Sequence, residues 1–262
     1  MGSAIAGRIK STYPTYVFEK DAAKTVSLGS LTVAKDSREL VLAVDAVVLA
    51  VKPQDFDALL DEIRDEVSGK LIISIAAGIP TAYIQKVLGE VRVIRVMPNL
   101  PARIGLGMIC LCKGSFAEDT DLEFVRQLFD TLGSTLVIEE GMMDAATAIA
   151  GSGPGFFYEL ISGNSELDVL SYASEVFIPD FSLAAESLGF GKSDAELLVT
   201  TVSAGSIALL KQTAFSAQEL CRQVTSKGGT TEAGLAALRK SGSLVEAAKA
   251  AEKRAKELSR GG

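Results

Sequence analysis

Asp45-Ala-Val-Val-Leu-Ala-Val51, Lys70-Leu-Ile-Ile-Ser-Ile75 and Val91-Arg-Val-Ile-Arg-Val96 decide the fold. The first two are nearly unbroken apolar runs, the pattern of strands covered on both faces rather than of strands with one wet side. Between the three runs the spacing changes to that of helices, at Asp55–Val67 and Thr81–Leu88. Such alternation is the mark of βαβ units and a parallel sheet. Working outward, strands are predicted at Thr15–Glu19, Ser30–Ala34, Gly107–Leu111 and Ser134–Ile138, and helices at Arg38–Val44 and Asp119–Leu132. The expected class is α/β, with a doubly wound, nucleotide-binding-like parallel sheet.

From about Asp144 the strands stop. Ala, Leu, Glu, Ser and Lys recur at helical spacing through Ala195–Lys211, Ser216–Val224, Glu232–Ser241 and Leu244–Leu258. The division predicted is a sheet-bearing half over 1–145 and an all-α half over 146–262, with a hinge near Gly141–Ala150. Pro154 suits the first turn of a helix.

The 262 residues are enough for a sizeable core. No apolar run reaches the roughly 18 residues of a membrane span and no charged, apolar leader opens the chain, so no membrane partner and a cytoplasmic location are expected. A formal charge of −7 and the lack of a basic face argue against nucleic acid. Cys110 and Cys112 share one face of a strand and, with Cys221, are expected to be buried thiols rather than metal ligands. The chain has no histidine. That removes Ser-His-Asp and Cys-His nucleophilic catalysis, His-ligated metals and the usual neutral-pH base, and leaves chemistry carried by a cofactor as the best fit.

Gln223-Val-Thr-Ser-Lys-Gly-Gly-Thr-Thr-Glu-Ala-Gly-Leu235 sets two glycines among four hydroxyl residues just ahead of a helical pattern. Glycines turn backbone amides to one side, hydroxyls cap or donate, and the helix dipole favours a carboxylate or phosphate. A capped loop between two helices has the same chemistry, and this stretch alone does not choose. Ala50-Val-Lys-Pro53, Ser74-Ile-Ala-Ala-Gly78 and Met97-Pro-Asn-Leu-Pro101 all close strands, where a dinucleotide would run. Solvation, tight packing or a rigid turn explains each one separately; their convergence carries more weight. Seventeen residues after Gly2 comes Glu19, near the spacing from the last glycine of a dinucleotide fingerprint to its ribose-binding acid.

Met1-Gly-Ser-Ala-Ile5, Ala50-Val-Lys-Pro-Gln54, Ala76-Ala-Gly78, Arg95-Val-Met-Pro-Asn99, Gly151-Ser-Gly-Pro154 and Val224-Thr-Ser-Lys-Gly-Gly-Thr-Thr231 run in one order over nearly the whole chain. In these the chain resembles the pyrroline-5-carboxylate reductases. The resemblance implies a Rossmann-like sheet followed by an all-α dimerisation domain, and reduction of L-1-pyrroline-5-carboxylate to L-proline by NADPH or NADH. It implies a substrate carboxylate held by Ser226 and the amides around Gly228, Gly229 and Thr230, with Thr231 as donor to the ring nitrogen. Gly2, Ser3, Glu19, Lys20, Ala50, Val51, Lys52, Pro53, Ala76, Met97, Pro98 and Asn99 would line the cofactor. Glu19 suits a free ribose diol and Lys20 a 2′-phosphate, so the choice of NAD or NADP stays open. A homodimer, or a ring of dimers, is implied.

Two departures from the family pattern carry expectations. The first strand and the first two glycines of G-x-G-x-x-G are not in this sequence, and a chain beginning at Met1 is expected to fold poorly and bind cofactor weakly. Ser162–Pro179 reads as an insertion, with Leu167, Leu170 and Phe177 on one helical face and Gly163-Asn164 and Pro179 punctuating its ends; a surface excursion is the first expectation. Two other readings stand beside the first: a β-hydroxyacid dehydrogenase with Lys211 as catalytic lysine, and a catalytically impaired homologue with a structural role.

Overall fold

The computed structural model describes residues 1–21, 31–163 and 168–260. Strands β3 (Ala46–Leu49), β4 (Leu71–Ser74), β5 (Arg92–Met97), β6 (Gly107–Lys113) and β7 (Gly133–Val137) form one sheet in that order. β3, β4 and β5 are parallel, as expected, with Ala46 opposite Leu71 and Leu71 opposite Arg92. The sheet is not parallel throughout, because β6 runs antiparallel to β5. Only residues 98–106 connect the two, and that is too short for the helical crossover a parallel neighbour requires.

Period-two alternation divides the strand side chains between two faces. Leu71, Ile73, Ile94, Val96, Ile109 and Leu111 meet helices α1 (Gly2–Ile9) and, further along the chain, α5 (Asp119–Asp130). Val47, Leu49, Ile72 and Val93 meet α2 (Ser37–Ala43), α3 (Phe56–Ile63) and α4 (Thr81–Leu88). Helices thus cover both faces, and the doubly wound reading holds. Sequence-local devices fix the helix starts: Asp36 caps α2 through Glu39 N, and Glu118 and Asp121 form a capping box on α5.

β1 (Tyr16–Val17) and β2 (Thr32–Val33) pair with each other in parallel but stand apart from the main sheet. A cavity of about 490 Å³ lies between β1 and β3, with Val17 and Phe18 on one side, Val47 and Val48 on the other, and Ile5 and Phe124 also lining it.

The second half is helical: α6 (Met143–Ala146), a π-helical stretch Thr147–Gly151, α7 (Gly153–Ile161), α8 (Val169–Tyr172), a second π stretch Ala173–Phe177, α9 (Ile178–Ser187), α10 (Lys192–Gln212), α11 (Ala217–Val224), α12 (Thr230–Ser241) and α13 (Leu244–Arg260). Met97, Met108, Cys110 and Cys112 of the sheet share a core with Ile149, Phe156 and Val202 of this half. The segment expected as a hinge is therefore packed helix, with Thr147, Ala148, Ile149 and Ala150 all buried. Pro154 does sit in the first turn of α7. α10 is long and apolar enough to cross a bilayer by composition, yet half of that window is buried and it packs on α7, α9 and β6.

The insertion is also corrected. Residues 169–187 form one helical run through the second π stretch, and Pro179 lies in the first turn of α9 rather than ending a segment. A missing N–H costs least at such a register change and helix start. Phe177 is fully buried, 5.0 Å from the ring of Phe157 and 5.1 Å from that of Phe181, while Leu170 is exposed. So the excursion contributes to the core. Leu167 and Asn164 lie outside the described residues.

Arg239 on α12 holds Glu159 on α7 through Nε–Oε1 at 2.7 Å and a second nitrogen to Oε2 at 3.0 Å. That hydrogen bonding, opposed by partial burial, keeps the Glu159 carboxyl below its ordinary range. A carboxyl lowered in the folded state stabilises above its unfolded pKa, and the contribution disappears as pH falls through the folded value. Glu159→Gln is expected to lower stability by about 0.5–1 kcal/mol at neutral pH. The gap from the parent should close as thermal melts are taken below about pH 4.3.

Candidate functional site

α11 ends at Val224, where Thr225 turns extended and its hydroxyl donates to Cys221 O at 2.8 Å. The chain then makes a tight turn. Gly229 N donates to Ser226 O at 3.0 Å, and Gly228 stands at φ +69°, a conformation that costs a side-chain-bearing residue. Gly228 N donates to Glu232 Oε2 at 2.7 Å, and Gly228 O accepts from Arg254 Nε of α13 at 2.8 Å. Gln223 is tied back to the β5–β6 connection by Arg103 at 2.6 Å. The loop is thus held from three sides.

α12 begins at Thr230 with Gly229 as its N-cap and no side-chain cap. Among the described residues the amides of Thr230, Thr231 and Glu232 have no partner, as the first turn of an uncapped helix dictates. The sequence analysis placed a carboxylate on the amides around Gly228, Gly229 and Thr230. Two of these, Gly228 and Gly229, are engaged within the loop, so the free donors begin at Thr230 and continue through the first turn of α12. Ser226 is exposed with its hydroxyl folded over Gly229, where a Cβ would stand 2.2 Å from it.

Behind the helix start lies a buried group of hydroxyls. Thr231 Oγ1 donates to Ser152 Oγ at 3.1 Å, and Ser152 Oγ is 3.1 Å from Thr230 Oγ1. Ser152 is fully buried and Thr231 is 5 % exposed. Ser152 was missed in the sequence, where Gly151-Ser-Gly-Pro154 was read for its glycines and proline. Arg254 was missed too, since a basic residue in an amphipathic helix carries no local sign of a contact 26 positions away.

α7 approaches α12 so closely that a Cβ on Gly155 would lie 2.6 Å from Thr231 Cγ2. Two effects oppose each other in Gly155→Ala. Helix propensity favours alanine by about 1 kcal/mol, whereas carbon contacts want about 3.5–4.0 Å and overpacking costs about 1–3 kcal/mol. The clash wins, so this variant is expected to melt lower than the parent and to lose activity through displacement of Thr231; an unchanged melt and rate would contradict the contact.

The cofactor candidates gather mainly at the carboxyl ends of β3, β4 and β5, neighbours in the sheet. A Cβ on Gly2 would stand 2.9 Å from Ala50 Cβ, so the start of α1 lies against the end of β3. The amides of Gly2 and Ser3 have no partner among the described residues, while Ala4 N and Ile5 N return to Met1 O. That combination suits a phosphate. Val51 is half-buried, Lys52 is exposed, and Pro53 opens a 3₁₀ turn; Ala76 is buried beyond β4. Met97 Sδ would be 3.6 Å from a Cβ on Gly151, the residue before Ser152, which brings the end of β5 to the hydroxyl group. Pro98 is buried, and Asn99 faces inward: Nδ2 donates to Ala150 O at 3.1 Å and Oδ1 accepts from Met108 N at 3.0 Å. Glu19 and Lys20 are exposed beyond β1, across the cavity from β3, and Glu19 accepts from Asp21 N at 3.1 Å. Lys211, the candidate lysine of the dehydrogenase reading, is exposed in the last turn of α10, where its charge reaches Asp168.

The three cysteines are free and buried. Burial pushes the thiols of Cys110 and Cys112 up to about 12 and raises that of Cys221, so none is a thiolate near neutral pH. The geometry offers unpaired amides, hydroxyls and a dinucleotide-shaped set of strand ends.

Comparison with known proteins agrees with this. Residues 172–258 match the family model for pyrroline-5-carboxylate reductase dimerisation, and residues 1–78 match that for coenzyme F420-dependent NADP oxidoreductases. Pyrroline-5-carboxylate reductase 2 of Bacillus subtilis is 34 % identical over 81 % of this chain and 70 % of its own length. The pyrroline-5-carboxylate reductase of Synechocystis is 32 % identical over 86 % of this chain and 79 % of its own. Among solved structures, the Coxiella burnetii reductase aligns with a TM-score of 0.64 at 28 % identity, covering 98 % of this chain and 94 % of that one. The Plasmodium falciparum reductase, solved with NADP bound, aligns at 0.61 and 26 % identity with the same coverage. Sequence identity of this extent over both halves, joined to the fold, shows that the chain belongs to the pyrroline-5-carboxylate reductase family.

Proposed function

We propose that this chain reduces L-1-pyrroline-5-carboxylate to L-proline with NADPH or NADH, in residues 1–145 as dinucleotide-binding half and 146–262 as substrate-binding and dimerisation half. One observation carries the reading: three hydroxyls, those of Ser152, Thr230 and Thr231, meet at an uncapped helix start and touch the end of β5 through Gly151 and Met97. The free amides of Thr230, Thr231 and Glu232, with Ser226, hold the substrate carboxylate, and Thr231 meets the ring nitrogen. The start of α1 at Gly2 and Ser3 receives the pyrophosphate. Ala50, Val51, Lys52, Pro53 and Ala76 line the cofactor's path, while Met97, Pro98 and Asn99 shape the nicotinamide end, Asn99 from behind. Glu19 and Lys20 face the adenosine ribose. The nicotinamide, when bound, supplies hydride; the protein's part is to orient an already polarised imine carbon, worth several kcal/mol of barrier by position alone. The functional unit is a cytoplasmic homodimer, or dimers joined into a ring.

NADPH and NADH oxidation with L-pyrroline-5-carboxylate, measured with proline formation, tests this against NADP reduction with 3-hydroxyisobutyrate. Proline formation is the result expected. Turnover of the hydroxyacid alone would move the chain to the dehydrogenase reading, and no turnover of either would leave an impaired homologue.

A further inference from the structure

Arg103 stands between the start of α1 and the loop before α12. It lies in the 3₁₀ turn Leu100–Ile104 that leaves β5. Ala102, the residue before it, is buried in the same core as Ile5 of α1, and Met1 packs on that core, so the turn lies against the start of α1. On the flank of that helix Arg8 Nη2 donates to Arg103 O at 3.4 Å, and the Arg8 guanidinium lies against Gly105, where a Cβ would stand 2.9 Å from Nη1. The Arg103 side chain crosses to the helical half. Its Nη1 donates to Gln223 Oε1 at 2.6 Å, in the last turn of α11.

The Arg103 charge has no counterion among the described residues, where its side chain bonds only to the neutral amide of Gln223. A guanidinium carries five N–H groups in a rigid fork, so most of them are to spare. Its field reaches the helix start: burial first, and then the Arg103 charge, lower the Met1 amine from its ordinary value. Gly2 and Ser3, whose amides have no partner among the described residues, follow directly on Met1.

We infer that Arg103 is a clamp between cofactor and substrate loop: its spare N–H groups take the pyrophosphate that the start of α1 receives, while Nη1 keeps hold of Gln223. Arg103 takes this role on the reading of Gly2 and Ser3 as the pyrophosphate site, to which it adds a charged partner and a link to the loop before α12.

A phosphate oxygen accepts from arginine more strongly than an amide oxygen does, because both partners are charged. With part of the fork on phosphate the remainder is held in direction, and the loop is ordered at less cost once cofactor is bound. Binding free energies are reciprocal. Occupancy of the substrate site therefore tightens the cofactor by the same factor. Lysine would keep the charge, but a point charge on a flexible stem does not hold two acceptors in fixed directions.

Calorimetric titration of the full chain with NADP, alone and with saturating L-proline, tests the clamp. In the parent chain proline is expected to tighten NADP about fivefold, the low end of ordinary coupling between sites. Arg103→Gln is expected to weaken NADP about tenfold, the size of one charge-assisted hydrogen bond, and to remove the coupling. Arg103→Lys should keep NADP affinity within about threefold of the parent, since the charge remains. Gln223→Ala should leave that affinity unchanged, yet in both variants the proline effect should vanish. Arg103 and Gln223 are exposed, so thermal melts of all three variants should overlay the parent's, which separates these effects from a loss of fold. Unchanged NADP affinity in Arg103→Gln would overturn the phosphate contact. A proline effect absent from the parent, or preserved in either Arg103→Lys or Gln223→Ala, would overturn the clamp. Those results leave the site at α1 standing; failure of the parent chain to bind NADP at all would overturn that site, and the clamp with it.

Discussion

Thr231→Val is expected to lower kcat/KM for pyrroline-5-carboxylate about a hundredfold and to move the melting temperature by only about 2–4 °C. Valine keeps the branched shape, so the methyl that packs against Gly155 stays where it is. What is lost is one hydroxyl oxygen, 3.1 Å from Ser152, and Ser152 retains Thr230 as a second partner. The stability cost is that of one buried hydrogen bond with its partner still satisfied, about 1 kcal/mol, or a few degrees in a chain of this size. The activity cost is larger. On the proposed reading the hydroxyl fixes the ring nitrogen and thereby the angle at which hydride arrives, and misplacement at a reacting centre multiplies through the rate. Steady-state kinetics and a thermal melt on the same preparation check both halves. A large fall in melting temperature with a proportionate fall in activity would show Thr231 to be only a packing residue.

Asn99→Ala acts in the opposite sense, with its main effect on stability. The Asn99 amide is 2 % exposed and bridges two buried backbone groups, Ala150 O at the end of the first π stretch and Met108 N at the start of β6. Alanine leaves a donor and an acceptor unsatisfied in the core between sheet and helical half. Each such group costs about 1–3 kcal/mol, so the sum is about 2–6 kcal/mol against a total stability on the order of 5–15 kcal/mol. Denaturant melts should show this directly. Asn99→Asp separates the two bonds: its carboxylate still accepts from Met108 N but cannot donate to Ala150 O, and it buries a charge. It is therefore expected to be no more stable than the alanine variant at neutral pH. A variant of full stability with weakened NADPH binding would instead make Asn99 a direct cofactor contact.

Much of the fold was legible because its strands are read by periodicity alone. Ala46–Leu49 and Leu71–Ser74 lie inside the predicted runs, Arg92–Met97 overruns the end of its predicted run by one residue, and α4 spans Thr81–Leu88 as predicted. The antiparallel β6 was hidden by its own good strand pattern, since direction is carried by the length of the connection and not by the strand. The segment 169–187 was misjudged because glycine and proline were read as breaks. Tertiary burial of Phe177 against Phe157 and Phe181 holds the helix through a register change that local propensity disfavours. The loop ahead of α12 was legible as glycines and hydroxyls next to a helical pattern. Which amides stay free was not, because that depends on Glu232 and Ser226 folding back onto Gly228 and Gly229. Ser152 lies about 80 positions from Thr231, a distance at which one sequence holds no signal.

The most direct test of the account is a crystal structure of this chain with L-proline and NADP bound. The account predicts the proline carboxylate on the amides of Thr230, Thr231 and Glu232, and the ring nitrogen within hydrogen-bond distance of Thr231 Oγ1. A carboxylate seated elsewhere, with the first turn of α12 unoccupied, would contradict it.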